Sequence, residues 1–233
     1  MGVVAVVTGT MIEKQMNTIL VILVAAGIGT LVGAINGLII AKLHIPDMLA
    51  TLATGNIWKA VIFGLLGGKW LTSLKPQFAA VTTGRILGIP ILLLLVIAVY
   101  ALFYYIFMYR KLGRYIYAIG NNENAALLSG INVRLIEFSV YVIQGVMSAL
   151  VGVVLTSKLL TCTSTIGNGM EVNAIAAVVI GGASMSGGEG SVVGTIVGAL
   201  ILTIISNAMN LMSVNAYLQQ VVMGLIIIMA ILF

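Results

Sequence analysis

The chain has 233 residues, of which 61% are hydrophobic and only 7% are charged, and its formal net charge is +5. Soluble domains carry about 25% charged residues, so this composition excludes a water-soluble globular protein and indicates an integral membrane protein. The basic excess is explained by lysine and arginine at helix ends, where membrane topology places them, and does not indicate nucleic-acid binding. The single cysteine, Cys162, excludes a disulfide framework and a cysteine-based metal site.

The N-terminal half contains three runs of membrane-spanning length, at residues 17–41, 48–68 and 91–108. A helix needs about 20 apolar residues to cross a hydrocarbon core of about 30 Å, and these runs lack the alternation of spanning β-strands. The first run carries a repeated GxxxG pattern, typical of helices that pack backbone to backbone, at Gly29, Gly33 and Gly37. Residues 1–11 are apolar but too short to span, and residues 69–90 are predicted to form a loop.

The C-terminal half contains further spans after a long polar segment, residues 109–138. They are predicted at residues 138–157, 191–212 and 216–233. Residues 172–182 form an apolar run of only about 11 residues, which suits a half-helix or broken helix buried in protein. A loop at 158–171 precedes this run, and a tight turn follows it at Gly187, Gly188 and Gly190. We therefore predict an all-α, polytopic transmembrane helical bundle with about 6–8 membrane segments.

The basic residues predict the orientation of these helices, because cytoplasmic loops are enriched in lysine and arginine. The densest basic cluster lies in the polar segment and consists of Arg110, Lys111, Arg114 and Arg134. This cluster is expected in the cytoplasm together with Lys42, which leaves the loop at 69–90 outside. Three basic residues in that outer loop oppose the bias: Lys69, Lys75 and Arg85.

The titratable residues do not form an obvious catalytic or ion-coupling site. All six acidic residues lie at loops or helix ends, whereas a proton-coupled carrier usually needs a titratable group at membrane depth. This argues against ion-driven transport, unless carbonyl groups of a broken helix bind the ion. His44 is interpreted as an interfacial residue and Cys162 as a packing residue. The sequence lacks the phosphate-binding loop of an ATPase, and we expect no enzyme activity, metal or cofactor in this chain.

The polar segment contains the pattern of one short helix. Asn121 or Asn122 can cap its start, and Glu123 lies in the first turn, where a negative charge is favourable. An apolar face follows at residues 125–128, and Gly130 can adopt the left-handed conformation that ends a helix. The predicted helix of about two turns is either a surface connector or a docking element for a soluble partner.

Several blocks of sequence, in order, resemble one family. They are GRYIYAIGNNENAA at 113–126, SGINV at 129–133, GMEVNAIAAVVIGGAS at 169–184, GGEGSVVG at 187–194 and NAMNL at 207–211. These blocks are similar to the permease subunits of ATP-binding-cassette (ABC) importers of the ribose, xylose, arabinose and galactoside type. Asn173 stands where that family usually has aspartate, and Glu189 where it usually has a basic residue. Family members begin with further spans, so the chain is expected to be a permease shortened at its N-terminus.

The resemblance implies a single permease domain, residues 1–233, in the bacterial cytoplasmic membrane, with residues 109–138 as a cytoplasmic coupling loop. Besides membrane lipids, it implies three partners: a second permease subunit, ABC ATPase subunits that hydrolyse ATP, and an extracytoplasmic substrate-binding protein. It also implies a coupling helix that inserts into a cleft of the ATPase. The residues assigned to it are Gly120, Asn121, Asn122, Glu123, Asn124, Ala125, Ala126 and Gly130.

A sugar-like solute needs neutral hydrogen-bonding groups along its route. The candidates are Asn36, Thr54, Asn56, Gln144, Asn173, Asn207 and Asn210. Each of them could instead hold two membrane helices together, at about 0.6 kcal/mol per contact. The predicted function is a permease subunit of a sugar importer. An importer of a related signalling molecule, such as a furanosyl-borate compound, and a secondary carrier or channel are the alternatives.

Overall fold

The computed structural model describes residues 1–43, 45–67, 71, 76–163 and 165–232. His44, Lys69 and Lys75, singled out in the sequence, lie outside the described residues. The elements are α1 (Gly2–Glu13), α2 (Thr18–Leu43), α3 (Asp47–Leu66), α4 (Pro76–Thr83), β1 (Arg85–Ile86), β2 (Ile89–Pro90), α5 (Ile91–Tyr109), α6 (Lys111–Asn121), α7 (Glu123–Leu128), α8 (Val133–Leu159), α9 (Met170–Ile180), α10 (Val192–Leu211) and α11 (Ala216–Leu232).

Among the described residues, five helices are long and apolar enough to cross a membrane: α2, α3, α5, α8 and α10. Three shorter apolar helices, α1, α9 and α11, accompany them. The predicted all-α, polytopic architecture is therefore confirmed. Helix α8 begins at Val133, five residues before the predicted span at 138–157. The side chain of Asn132 explains the earlier start, since its Oδ1 accepts a hydrogen bond from the backbone N–H of Leu135 at 3.2 Å and so caps the helix.

The chain divides into two compact units, each described by itself. The first comprises residues 1–98 and 132–168, and its centre is the pair α2 and α8. These helices pack antiparallel along the predicted glycine face: a Cβ on Gly29 would lie 2.5 Å from the Cβ of Ala149, and one on Gly37 would lie 3.0 Å from the Phe138 ring. The GxxxG pattern thus identified a real helix contact, in which only glycine leaves room for the opposing backbone.

The N-terminal run, predicted only as a segment too short to span, forms the buried helix α1 in the first unit. Ala5 and Val6 are fully buried, and the hydroxyl of Thr156 on α8 reaches the carbonyl oxygen of Ala5 at 3.3 Å. Because α1 is apolar on all sides, protein can cover it on every side. Its burial in the unit was not predicted from the sequence.

The segment predicted as a loop at 69–90 contains short secondary structure. Helix α4 is held against α8, because the Ser157 hydroxyl donates to the carbonyl oxygen of Phe78 at 2.7 Å. Strands β1 and β2 form a two-stranded antiparallel hairpin. Cys162, paired through its backbone with Leu71, is fully buried, and burial raises the pKa of its thiol to about 11. A buried, protonated thiol fits the predicted packing role of Cys162.

The second unit comprises residues 99–131 and 169–233. Helix α9 has 11 residues, as expected for a half-helix, and packs on α10 and α11. A Cβ on Gly181 of the α9 C-terminus would lie 2.7 Å from the backbone nitrogen of Thr195 on α10, so these helices also meet backbone to backbone. The predicted turn between them has Gly187 and Gly188 at φ of +88° and +78°, where glycine is strongly favoured.

Candidate coupling helix and solute-contacting residues

The predicted coupling loop, residues 109–138 and below called the coupling segment, contains helix α6, which was not predicted from the sequence. Gly113 of α6 is buried against the end of α5, and a Cβ there would lie 2.7 Å from the carbonyl oxygen of Ile106. The rings of Phe107 and Tyr117 meet edge to face, with centroids 5.8 Å apart. The signal that could have revealed α6 is the spacing of Leu112, Ile116 and Ile119 at i, i+4 and i+7.

The short helix expected in the coupling segment is α7, and its caps are local. At its start, the Asn122 side-chain oxygen accepts from the backbone N–H of Ala125 at 3.0 Å, so Asn122 is the cap and Asn121 ends α6. At its end, Gly130 has φ of +81°, and the N–H of Ile131 donates to the carbonyl oxygen of Ala126 at 3.1 Å. This pattern of a left-handed glycine and a six-to-one hydrogen bond is a Schellman motif. Both ends of α7 are therefore fixed by residues that the sequence had identified.

The surface of α7 is unusually apolar for a helix flanked by charges. Leu127 is 56% exposed and Leu128 is 91% exposed, whereas Ala126 is only 4% exposed. The predicted apolar face is thus divided, because Ala126 packs inside the unit and the two leucines face outward. Glu123 and Asn124 are exposed beside them. Leu127 and Leu128 therefore form an adjacent pair of exposed apolar side chains beside the polar residues of α7.

The base of α7 is held by the turn between α9 and α10. A Cβ on Gly120 would lie 2.9 Å from the Cα of Gly188, so the two backbones touch. The hydroxyl of Tyr117 donates to the carbonyl oxygen of Gly190 at 2.8 Å. We call this contact of Tyr117 and Gly120 with residues 187–190 the glycine latch. It connects the end of α6, and hence the start of α7, directly to the loop that joins α9 to α10.

The charged residues of the coupling segment are basic at the start of α6 and acidic at the start of α7. Arg110, Lys111 and Arg114 are exposed at the start of α6, and the guanidinium of Arg110 lies 5.9 Å from the centre of the Tyr105 ring. Glu123, in the first turn of α7, is the acidic residue of this region. Glu189, where the resembled family usually has a basic residue, is exposed and lies within the turn of residues 187–190 that takes part in the glycine latch. Its backbone carbonyl accepts from the N–H of Ser184 at 3.1 Å.

The solute-pathway candidates of the first unit differ in their surroundings. Asn36, on α2, is half-buried, and its Oδ1 is fully enclosed without a hydrogen-bond partner among the described residues. Thr54 is buried, and its hydroxyl donates to the carbonyl oxygen of Ala50 on its own helix at 3.0 Å. Asn56 and Gln144 are exposed. Of these four, Asn36 has the clearest unused capacity to accept a hydrogen bond.

The candidates of the second unit, Asn173, Asn207 and Asn210, are all exposed. The Oδ1 of Asn210 accepts a hydrogen bond from the side-chain nitrogen of Gln219 at 2.9 Å, which links α10 to α11. This is the helix-joining role that neutral amides often have in membranes. Whether Asn173 and Asn207 contact a solute stays a prediction.

The comparisons with known proteins agree with the fold. The family described as "Branched-chain amino acid transport system / permease component" matches residues 1–231. The chain is 39% identical to the ribose import permease protein of Haemophilus influenzae, covering 97% of this chain and 71% of that protein. It is 38% identical to the ribose import permease protein of Bacillus subtilis, over 95% of this chain and 70% of that protein.

A more distant relative is the autoinducer 2 import system permease protein of Escherichia coli, 29% identical over 100% of this chain and 68% of that protein. No solved structure matches the chain. The family match covers nearly all residues, and five helices of spanning length accompany it. The chain is therefore a multi-pass protein of the bacterial cytoplasmic membrane and belongs to this family of ABC-importer permease components.

Proposed function

We propose that the chain is the membrane-spanning subunit of an ATP-driven importer for a sugar or a similar polyhydroxylated solute. Relatives named as ribose import permeases support the solute class, at 38–39% identity. In this proposal, ATP is hydrolysed by a separate ABC ATPase subunit and the solute is delivered by an extracytoplasmic binding protein. A second permease subunit completes the pathway.

The observation that carries the proposal is helix α7. It has the features of a rigid contact element: a side-chain cap at Asn122, a Schellman end at Gly130 and two exposed leucines. Six residues would not hold a helix in isolation, because helices shorter than about 12 residues are marginal in water. The two caps and the buried Ala126 therefore keep α7 folded while Leu127 and Leu128 remain available to an ATPase cleft.

The glycine latch gives α7 a route for transmitting a displacement. A nucleotide-driven movement of the ATPase would move α7, and the touching backbones of Gly120 and Gly188 leave no gap to absorb that movement. The loop between α9 and α10 would then move with it. A partner can shift the permease between two states only through contacts that differ between those states, and the latch is our candidate for such a contact.

Asn36 is our preferred solute-contacting residue. Its side-chain oxygen is enclosed and has no partner among the described residues, and an unpaired buried acceptor costs about 1–3 kcal/mol. A change of state that opened this enclosed site would let a solute hydroxyl satisfy the oxygen without introducing a charge. The neutral amides on the described spanning helices suit a sugar better than an ionic substrate.

An importer of a signalling molecule such as autoinducer 2 is the second candidate. The relative named for autoinducer 2 import is 29% identical, against 39% for a ribose import permease, so we favour a simple sugar. A secondary carrier is disfavoured, because the family is that of ABC-importer permeases and the acids of this chain lie at loops or helix ends.

The test of the proposal is Leu128→Asp. We expect this change to abolish co-purification of an ABC ATPase subunit, together with ATP-dependent uptake of radiolabelled ribose into proteoliposomes containing the ATPase and a ribose-binding protein. A charge placed on a 91% exposed leucine removes its apolar contact without disturbing the fold.

The matched control is Leu87→Asp, which makes the same change at a 98% exposed leucine in the turn between β1 and β2. The control should retain ATPase binding and uptake. Normal ATPase binding by the Leu128 variant would show that α7 is not the coupling helix. ATP-independent ribose uptake by the chain alone would instead favour a carrier or channel.

A further inference from the structure

A cavity in the first unit is not explained by solute transport. It lies where the end of α2 meets the start of α8, is shallow and largely open, and has a volume of about 330 Å³. Its lining combines two cations, an amide and apolar side chains: Lys42, Arg134, Asn132, Leu38, Leu135 and Phe138. None of the solute-pathway candidates lines it.

The polar end of this cavity is suited to an anion. Lys42 comes from the last turn of α2 and Arg134 from the first turn of α8, so two helices bring their cations to one cavity. The Oδ1 of Asn132 is engaged as the cap of α8, which leaves its amide nitrogen as a further donor. The acids of this region, Asp47 and Glu137, are not among the lining residues. The charged side chains that line the cavity are therefore both cations, and the two acids lie near Tyr141 on α8.

The apolar end lies one helical turn deeper in the membrane. Leu38 precedes Lys42 by four residues on α2, and Phe138 follows Arg134 by four on α8, so each helix places an apolar side chain directly below its cation. Leu38 is 53% exposed and Leu135 is 60% exposed. A free anion would leave this apolar wall uncovered, and a neutral sugar would leave the two cations unpaired.

We propose that this cavity binds an anionic phospholipid, with the phosphate between Lys42 and Arg134 and the first part of an acyl chain along Leu38 and Phe138. Basic pockets between membrane helices are suited to anionic headgroups, and a membrane protein has such lipids at high local concentration. The positive-inside distribution places the site at the cytoplasmic leaflet. The bound lipid would join the ends of the two most extensively packed helices of the unit.

The experiment is native mass spectrometry of the complete 233-residue chain in detergent, with phosphatidylglycerol or phosphatidylethanolamine of identical acyl chains added. We expect selective retention of phosphatidylglycerol. The double variant Lys42→Gln/Arg134→Gln should lower that selectivity by roughly tenfold or more, because two charges that face the headgroup are lost. The charge-preserving variant Lys42→Arg/Arg134→Lys should retain it.

The matched control is Lys14→Gln/Lys158→Gln, which removes two exposed lysines from the opposite end of the same unit. Because α2 and α8 are antiparallel, these lysines lie at the other membrane face. Lipid selectivity should be unchanged in this control. An equal loss in control and test variants, or equal retention of the two lipids by the wild type, would overturn the proposal.

A second arm separates a lipid from a free phosphate. Glycerol phosphate, which has the headgroup chemistry without acyl chains, should not displace phosphatidylglycerol at equal concentration, and Leu38→Ala should weaken lipid retention. Displacement by glycerol phosphate would mean that the cavity is an anion site, and the lipid assignment would be wrong. If the double glutamine variant does not fold, Arg134→Gln alone is measured. It should lose a smaller part of the selectivity for phosphatidylglycerol, and unchanged selectivity would contradict the proposed site.

Discussion

Close glycine contacts occur in two regions of the molecule and differ in their extent and in the elements they join. In the first unit, Gly29, Gly33 and Gly37 bring the long helices α2 and α8 together over several turns. In the second unit, Gly120 touches Gly187 and Gly188 of one turn, at the base of the exposed helix α7. The first contact is extended and lies between membrane helices, whereas the second lies between a short helix and a loop. In our proposal, the same residue type holds one region fixed and transmits movement in the other.

The largest effect is expected in the helix pair. Gly33→Leu would place a side chain against the carbonyl oxygen of Tyr141 and within 3.1 Å of the Gly145 Cα, both on α8. Such overpacking costs about 1–3 kcal/mol or more, and two backbones cannot move aside as a side chain can. We expect a large fall in the thermal unfolding midpoint in detergent. The control Gly27→Leu, on the same helix with nothing within 4 Å, should unfold like the wild type.

A smaller loss of stability but a large loss of function is expected at the latch. Gly120→Leu would push against the backbone of Gly187 and Gly188 and displace α7 from its position. We expect ATP-dependent ribose uptake to fall by about tenfold, which a displacement costing about 1.4 kcal/mol would produce. Gly224→Leu on α11, where nothing lies within 4 Å, is the control. If Gly120→Leu lowered the unfolding midpoint as far as Gly33→Leu, the distinction between the two regions would be lost.

The glycine face of α2 and the caps of α7 could be predicted from the sequence, whereas the glycine latch could not. The GxxxG face of α2 was recognisable because its spacing repeats within one helix, and the spans followed from apolar length. The caps of α7 at Asn122 and Gly130 were recognisable because capping involves residues close in sequence. The contact of Gly120 with Gly188 was not recognisable from the sequence, because a glycine has no side chain to indicate which distant backbone it touches.

Two helices show the limits of sequence patterns more directly. The 12 residues of α1 were not predicted as a membrane span, and their burial against α8 depends on packing that hydropathy does not report. Helix α6 was obscured by its basic residues, although its apolar residues have helical spacing. The neutral amides were predicted only as a set. The enclosed oxygen of Asn36 distinguishes it from Asn210, whose oxygen accepts a hydrogen bond from Gln219. The sequence cannot show this difference in hydrogen bonding, whereas the structure does.

A moderate effect is expected from removing the cap of α7. Asn122→Ala leaves the N–H of Ala125 without its side-chain acceptor, which typically costs about 1 kcal/mol of helix stability. We expect the affinity for the ATPase subunit to fall by about fivefold, measured by titration of the purified subunits. Asn124→Ala, one of the predicted coupling residues within α7, is the comparison. Asn124→Ala should weaken ATPase binding only if the Asn124 side chain itself contacts the ATPase. If both variants lost the same affinity, the loss in Asn122→Ala would be assigned to a lost contact with the ATPase and not to the lost helix cap.

The smallest effect is expected at the second contact of the latch. Tyr117→Phe removes the hydrogen bond to the Gly190 carbonyl but keeps the ring against Phe107, and a typical hydrogen bond contributes about 0.5–1.5 kcal/mol. Because the backbones of Gly120 and Gly188 still touch, ribose uptake should fall only about two- to threefold, with ATPase binding unchanged. Tyr115→Phe, which removes a hydroxyl two residues away on α6, is the matched control and should behave like the wild type. A combined Tyr117→Phe/Gly120→Leu variant that transports no worse than Gly120→Leu alone would show that both contacts act through one latch, whereas additive losses would mean that they act independently.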